Sequence, residues 1–349
     1  MYKNYRGLSD VNSKEIIKRV IEFDHPERIG FDFNSPNPTD IAWIMAGRLK
    51  NHMYDDLLEW GYYGEELKQV PGFNGEVRRD VYGNIYGRLN QKTKGECLKG
   101  ALQDGWEKLN DYEMPLYDET YENSLSDILR NNKGKFLLGA LPVSPFSTMR
   151  DLRRIDNLLM DIALEEDMVV QLLEKVEKLA ADIIRRAAGN GLDGVVVYDD
   201  WGTQQALLIN PIQWRKIFKP VYTRLAGEAH KGGMKFFVHS CGFVYEIIQD
   251  FIEAGVDVLQ FDQPELIGVE KLANEFGGKV TFWCPVDIQK IMSTGDRELI
   301  QDGAKKMIED FGKFKGGFIA KDYPSLEDID VRDEWAKWAR DVFLSEGFY

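Results

Sequence analysis

The chain has 349 residues, 44% of them hydrophobic and 29% charged, a composition that supports a sizeable buried core and excludes a disordered protein. A formal net charge of −14 repels nucleic-acid phosphates and anionic lipid heads, so small molecules and other proteins are the expected partners, not nucleic acid or membrane. No apolar run reaches the ~20 residues of a bilayer span, and the polar opening stretch has no secretory h-region, which points to the cytoplasm.

In chain order, a first strand is expected at residues 28–33. The stretch 51–90 lacks a clear period and is where an eighth strand is sought. The region up to about residue 121 is rich in turns and charge and is expected to cap part of one end of the fold. From residue 130 onward, short β-branched or aromatic runs at 135–141, 194–200, 235–241, 256–262, 279–285 and 316–321 alternate with helical patterns at 168–188, 211–231, 245–254, 297–311 and 334–343. Glycines precede several of the strands, as helix stops do. Alternation of this kind implies parallel strands with crossover helices. The expected architecture is an α/β fold, a (βα)8 barrel forming one domain over residues 1–349. An open doubly wound sheet is the runner-up, and its nucleotide-binding form lacks the G-x-G-x-x-G turn.

Polar residues gather where these strands end: Tyr198, Asp199, Asp200 and Trp201, then His239 and Cys241, Asp262 and Gln263, Cys284 and Asp287, and Asp322. The C-terminal face of a barrel carries the active site. In His239-Ser240-Cys241-Gly242, residues two apart on a strand share a face and can hold one ion. Cys284, ending the next strand but one, is the expected third ligand, because one imidazole and two thiolates suit zinc and leave a fourth position open. The alternative is that all three are ordinary core residues, as Cys97 is expected to be. Asp200 and Asp262 are the expected catalytic carboxylates. Adjacent acids face opposite ways, so only one of Asp199 and Asp200 should enter the cavity. Tyr198, Asp199, Trp201, Gln263, Asp287 and Asp322 are the expected substrate contacts, with Trp201 as a flat wall; their bland alternative is strand ends and helix caps. Metalloprotease, hydrolase-elbow and Walker motifs do not occur.

From Lys135 onward the run Gly191-Leu192-Asp193-Gly194 to Asp199-Asp200-Trp201-Gly202, then His239-Ser240-Cys241-Gly242, then Gly255-Val256-Asp257-Val258-Leu259, resembles the methyltransferase branch of the uroporphyrinogen decarboxylase superfamily. That resemblance implies a (βα)8 barrel in which zinc activates a methylated heteroatom and a Co(I) corrinoid, carried by a separate protein, takes the methyl group. The chain has no D-x-H-x-x-G corrinoid motif. In the branch acting on coenzyme M the last cysteine follows the final strand, where this chain has Lys321-Asp322-Tyr323. The earlier position of Cys284 is more similar to enzymes that begin O-demethylation of aryl methyl ethers. The decarboxylases carry a Met-Arg-Gln-Ala-Gly-Arg run; this chain has Trp43-Ile44-Met45-Ala46-Gly47-Arg48, without the first arginine and the glutamine. Three functions follow: a zinc- and corrinoid-dependent methyltransferase acting on a small methyl donor, a metal-free decarboxylase, and a noncatalytic barrel that binds a corrinoid protein.

Overall fold

The computed structural model describes residues 12–50, 58–91, 93 and 95–349. Eight parallel strands form its centre: β1 (Gly30–Asp32), β2 (Ile41–Met45), β3 (Phe136–Ala140), β4 (Gly194–Tyr198), β5 (Lys235–His239), β6 (Val258–Gln260), β7 (Thr281–Cys284) and β8 (Phe318–Lys321). They lie in the order β1-β8-β7-β6-β5-β4-β3-β2, with every ladder parallel. Helices cover the outside, which is why the strands are nearly continuous apolar runs on both faces. The fold is a nearly closed (βα)8 barrel.

Seven strands fall inside the expected runs. The eighth does not come from 51–90: it is Ile41–Met45, and the described part of 58–99 instead makes a four-stranded antiparallel sheet of Leu58–Gly61, Glu76–Arg79, Ile85–Arg88 and Glu96–Lys99. Residues 51–57 lie outside the described residues. The connection from β1 to β2 has only eight residues and no helix, so it breaks the βα spacing on which the sequence reading relies. The expected helix 211–231 is two, Pro211–Ile217 and Lys219–Lys231, because Pro220 has no N–H to continue the ladder.

Closure between β1 and β2 depends on Asp40. Its backbone N–H donates to Phe31 O at 2.7 Å, its carboxylate accepts the Phe31 N–H at 2.9 Å, and Arg28 grips both carboxylate oxygens at 2.7 and 2.8 Å. Both side chains of this pair are buried.

The barrel has two distinct ends. Below, α1 (Ser13–Glu22), capped by Asn12, sends Ile16, Ile17, Val20 and Ile21 into a lumen core with Phe136, Val196, Phe237, Val258 and Ile319. Its Val20 carbonyl accepts from Gly317 N at 2.8 Å, beside the start of β8. Above, the antiparallel sheet leans on the helix α2 (Pro145–Arg153) that follows β3: Tyr86 donates to Asp151 at 2.6 Å and Tyr82 to Pro142 O at 2.9 Å. Among the described residues no helix is long and apolar enough to cross a membrane.

Removing one partner of a buried ion pair leaves the other charge uncompensated, so Asp40→Ala is expected to destabilise the protein by about 3–5 kcal/mol in urea unfolding. A loss below about 1 kcal/mol, the scale of an exposed pair, would show that closure does not depend on this residue.

Candidate metal and substrate site

Alternation along each strand decides which polar side chains enter the lumen. Register places Tyr198 opposite His239, His239 opposite Gln260, and Gln260 opposite Trp283, so these four form one row across four neighbouring strands. Two residues further on, the lumen positions are Asp200, Cys241 and Asp262; on the far side, Lys321 of β8 pairs in register with Asp32 of β1.

One ligand atom each from Asp200, His239 and Cys241 lies within 4.8 Å of the others. His239 Nε2 is 3.2 Å from Asp200 Oδ1 and 3.3 Å from Cys241 Sγ. The Cys241 N–H donates to Asp200 Oδ1 at 2.9 Å. On the other side of the ring, His239 Nδ1 meets Gln260 Oε1, a contact that assigns the proton to Nδ1 and presents Nε2 to the cluster. Gln260 Nε2 then donates to Asp262 Oδ1 at 2.8 Å, and Lys321 Nζ donates to the same oxygen at 3.1 Å.

Electrostatics follow from these contacts. Burial opposes the charged form of each group, but the bonds to Asp200 and Cys241 raise His239 to about 10. Its imidazolium in turn holds Asp200 at about 2 against burial. For Asp262 burial is again outweighed, here by the charges of Lys321 and His239, and its carboxyl lies below the usual range. Tyr323, the next lumen position after Lys321, is pushed up by burial and by the charges of Asp262, Cys241 and Asp200.

The loops that carry these residues cross at two glycines. A Cβ on Gly202 would meet Phe243 N at 2.5 Å, and one on Gly242, whose φ is +83°, would meet Gly202 O at 2.1 Å. Only glycine allows that approach, and it sets Asp200 against Cys241.

Other expected site residues are placed elsewhere. Cys284 follows the lumen residue Trp283 and therefore faces outward, fully buried in the core between barrel and helices. Burial pushes its thiol up to about 12, and the structure does not bring it to His239 and Cys241. Asp199 also faces outward and is buried, accepting from Phe146 N, Ser147 N and Tyr222 OH at 3.1, 2.7 and 2.6 Å; it caps the start of α2. Trp201, expected as a substrate wall, is fully buried, stacked on Phe146 at 4.1 Å and bonded to the Tyr222 hydroxyl. Asp287 accepts three backbone N–H groups, from Glu265, Gln289 and Lys290, and so acts as a loop brace. Asp322 is held by Arg340 at 2.7 Å and Asn34 N at 2.9 Å. Gln263 bonds Gln289 on the surface. Tyr198 stays at the site, its ring 5.3 Å from that of His239.

Sequence reasoning missed Asp32, Trp43, Gln260 and Lys321. The available signal was the lumen spacing of Gln260-Phe261-Asp262, which repeats that of His239-Ser240-Cys241.

Residues 105–321 match the uroporphyrinogen decarboxylase (URO-D) family. The chain belongs to that family. Among solved structures, a methyltransferase from Methanosarcina mazei is similar to this URO-D family member with a TM-score of 0.63 and 11% identity, over 96% of this chain and 100% of that one. A B12-independent methionine synthase from Shewanella sp. W3-18-1 gives 0.45 at 12% identity, over 68% and 70% of the two chains. A D-psicose 3-epimerase from Clostridium cellulolyticum H10 gives 0.40 at 10%, over 68% and 84%. These likenesses concern the fold. No curated protein matches the sequence.

The three thiols are predicted to differ in reactivity, since Cys241 is half-buried beside an imidazole and Cys97 and Cys284 are buried. In metal-free protein a disulfide reagent should modify one thiol at least about tenfold faster than the other two. Two fast thiols would place Cys97 or Cys284 within reach of solvent.

Proposed function

We propose that the protein is a zinc-dependent methyltransferase. It removes a methyl group from a small methylated substrate, an aryl methyl ether, and passes it to the Co(I) corrinoid of a partner protein. The observation that carries this reading is the convergence of Asp200, His239 and Cys241 within 4.8 Å at the mouth of a URO-D family barrel. The likeness over nearly the whole chain to a protein named as a methyltransferase supports it.

The donor set fits zinc. A carboxylate, an imidazole and a thiolate are all zinc ligands, and the 3.2 and 3.3 Å separations lie near the lower end of the edges, roughly 3.3–3.7 Å, of a tetrahedron with such ligands. Asp200, His239 and Cys241 would hold the ion, with Asp200 in the place expected of Cys284. The chemistry it would supply is polarisation of the heteroatom that the methyl group leaves. The protein's own residues do the rest. Gln260 fixes the imidazole tautomer, Asp262 orients Gln260 and neutralises Lys321, and Tyr198 forms a wall beside His239. Asp262 thus acts through Gln260 and Lys321, as a positioning residue.

The corrinoid must reach the strand C-terminal face, so the partner docks there, over a mouth that part of the first 121 residues flanks. This reading takes residues 1–349 as one cytoplasmic domain. The decarboxylase reading has less support. Arg48, the remaining arginine of the residue 43–48 run, is bonded to Asp118 and Thr120 at 2.7 and 3.1 Å. Among the described residues, the charged groups lining the cavity beside β1 and β8 are two acids, Asp32 and Asp322, and one cation, Lys321, a poor match for a polycarboxylate. A noncatalytic barrel would not need a row of buried polar groups at its mouth.

Metal analysis tests the reading. Wild-type protein and Cys284→Ser should each bind about one zinc per chain, as a three-ligand catalytic site does. His239→Ala, Cys241→Ser and Asp200→Ala should lose it, together with methyl transfer from a methoxylated arene to a Co(I) corrinoid protein. Zinc lost in Cys284→Ser, or absent from wild type, would contradict the assignment. Gln260→Leu should keep the fold and bind zinc about 10- to 100-fold more weakly; unchanged affinity would remove Gln260 from the site.

A further inference from the structure

A cavity of about 460 Å³ opens among the ends of β1, β2, β4 and β8, with Asp32, Thr39, Trp43, Tyr198 and Lys321 in its wall; that volume suits a small ligand. Trp43 lies nearly flat against Trp283, the ring centroids 5.1 Å apart and the planes 30° from parallel. It is nevertheless 42% exposed, so one indole face is covered and the other is open to the cavity. Offset stacking of a second flat ring is the natural use of such a face. The Trp43 Nε1–H is shared between the two Asp32 oxygens at 3.2 and 3.3 Å, which ties the ring's orientation to that carboxylate. Tyr198, which sits beside His239, joins this cavity to the Asp200, His239 and Cys241 cluster.

The charges in the wall are unequally engaged. Asp322 is held by Arg340 and a backbone N–H, and Lys321 is bonded to Asp262. Asp32 feels the charge of Lys321, but its hydrogen-bond donors are neutral and long, the Trp43 indole and the Thr39 hydroxyl at 3.3 Å. A carboxylate has about four acceptor sites, so Asp32 retains capacity for one more donor. The ammonium of Lys321 in the same wall disfavours a cation in that place and favours a neutral O–H.

We infer that Asp32 is the specificity residue of this pocket: it accepts a hydrogen bond from a free hydroxyl on a flat aromatic substrate stacked on Trp43. Ring compounds with both a methoxy group and a free hydroxyl are thereby selected over fully methylated ones. The inference rests on the methyl-transfer reading for the identity of the methylated group, while the recognition itself is a matter of binding and needs neither metal nor corrinoid.

The test is calorimetric titration of the wild-type protein, Asp32→Ala and Trp43→Leu with 2-methoxyphenol and with 1,2-dimethoxybenzene, in which a methyl group replaces the hydroxyl hydrogen. Wild type should bind 2-methoxyphenol about tenfold or more tightly than the dimethoxy compound, the scale of a hydrogen bond to a charged acceptor. Asp32→Ala should bring the two within about twofold of each other, because the acceptor has gone. Trp43→Leu should weaken both equally. Equal binding of the two ligands by wild type, discrimination that survives in Asp32→Ala, or failure of wild type to bind either ring would overturn the inference; the wild-type comparison stands even if a variant does not fold. Discrimination without methyl transfer in a separate assay would leave the pocket intact and sink the methyltransferase reading instead.

Discussion

A strand in a closed barrel has two faces, one toward the lumen and one toward the helices, and no residue can serve both. Everything at the mouth of this barrel obeys that constraint. Because β4 to β7 are in register, the parity of one residue fixes that of its neighbours: His239 enters the lumen, so Tyr198, Gln260 and Trp283 do also. Asp200 and Cys241, two positions beyond Tyr198 and His239, continue on the same side. Asp199, Trp201 and Cys284 fall on the other parity, and their chemistry is spent on packing and capping. A thiol one position after Cys284 would face the cluster; at Cys284 it faces the core.

The two ends of the lumen are built on opposite principles. The lower end is dry, filled by the apolar face of α1 and the inward side chains above it. At the upper end, isolated buried polar groups would each be costly, and they are tolerated because they form a chain. Cys241 and Asp200 flank His239, Gln260 bridges His239 to Asp262, and Lys321 closes the chain on Asp262. A network of this kind is worth having only when complete, which is why single substitutions along it should be felt at its far end. The Trp283 indole N–H is an exception, buried without a protein acceptor among the described residues.

Much of this architecture is legible in the sequence because the physics there is local. Runs such as Gly194–Tyr198 and Lys235–His239, each preceded by a helix stop, announce buried parallel strands, and the spacing in His239-Ser240-Cys241 announces a shared face. The rule that only one of two adjacent acids can enter is also local, and the structure selects Asp200. The rest depends on relations that a single sequence does not display. β2 was missed because the chain passes from β1 to β2 without a helix, held by Asp40 and Arg28. The orientation of Cys284 depends on the register of β7 against β6, and proximity to a strand end does not reveal parity. Asp32 and Lys321 meet across the seam between the first and last strands, nearly 290 residues apart. Trp201 is typical of a pocket wall by type, but parity sends it into the core beside Phe146 and Trp214.

In the proposed function, a zinc ion at the barrel mouth would be held by a single thiolate, Cys241, with His239 and Asp200 as the protein's other ligands. X-ray absorption at the zinc edge of the loaded protein addresses it directly. One sulfur scatterer at about 2.3 Å is expected, with the remaining ligands nitrogen or oxygen near 2.0–2.1 Å. Two sulfur scatterers would mean that Cys284 or Cys97 reaches the metal, and would contradict both the parity argument and the site built on it.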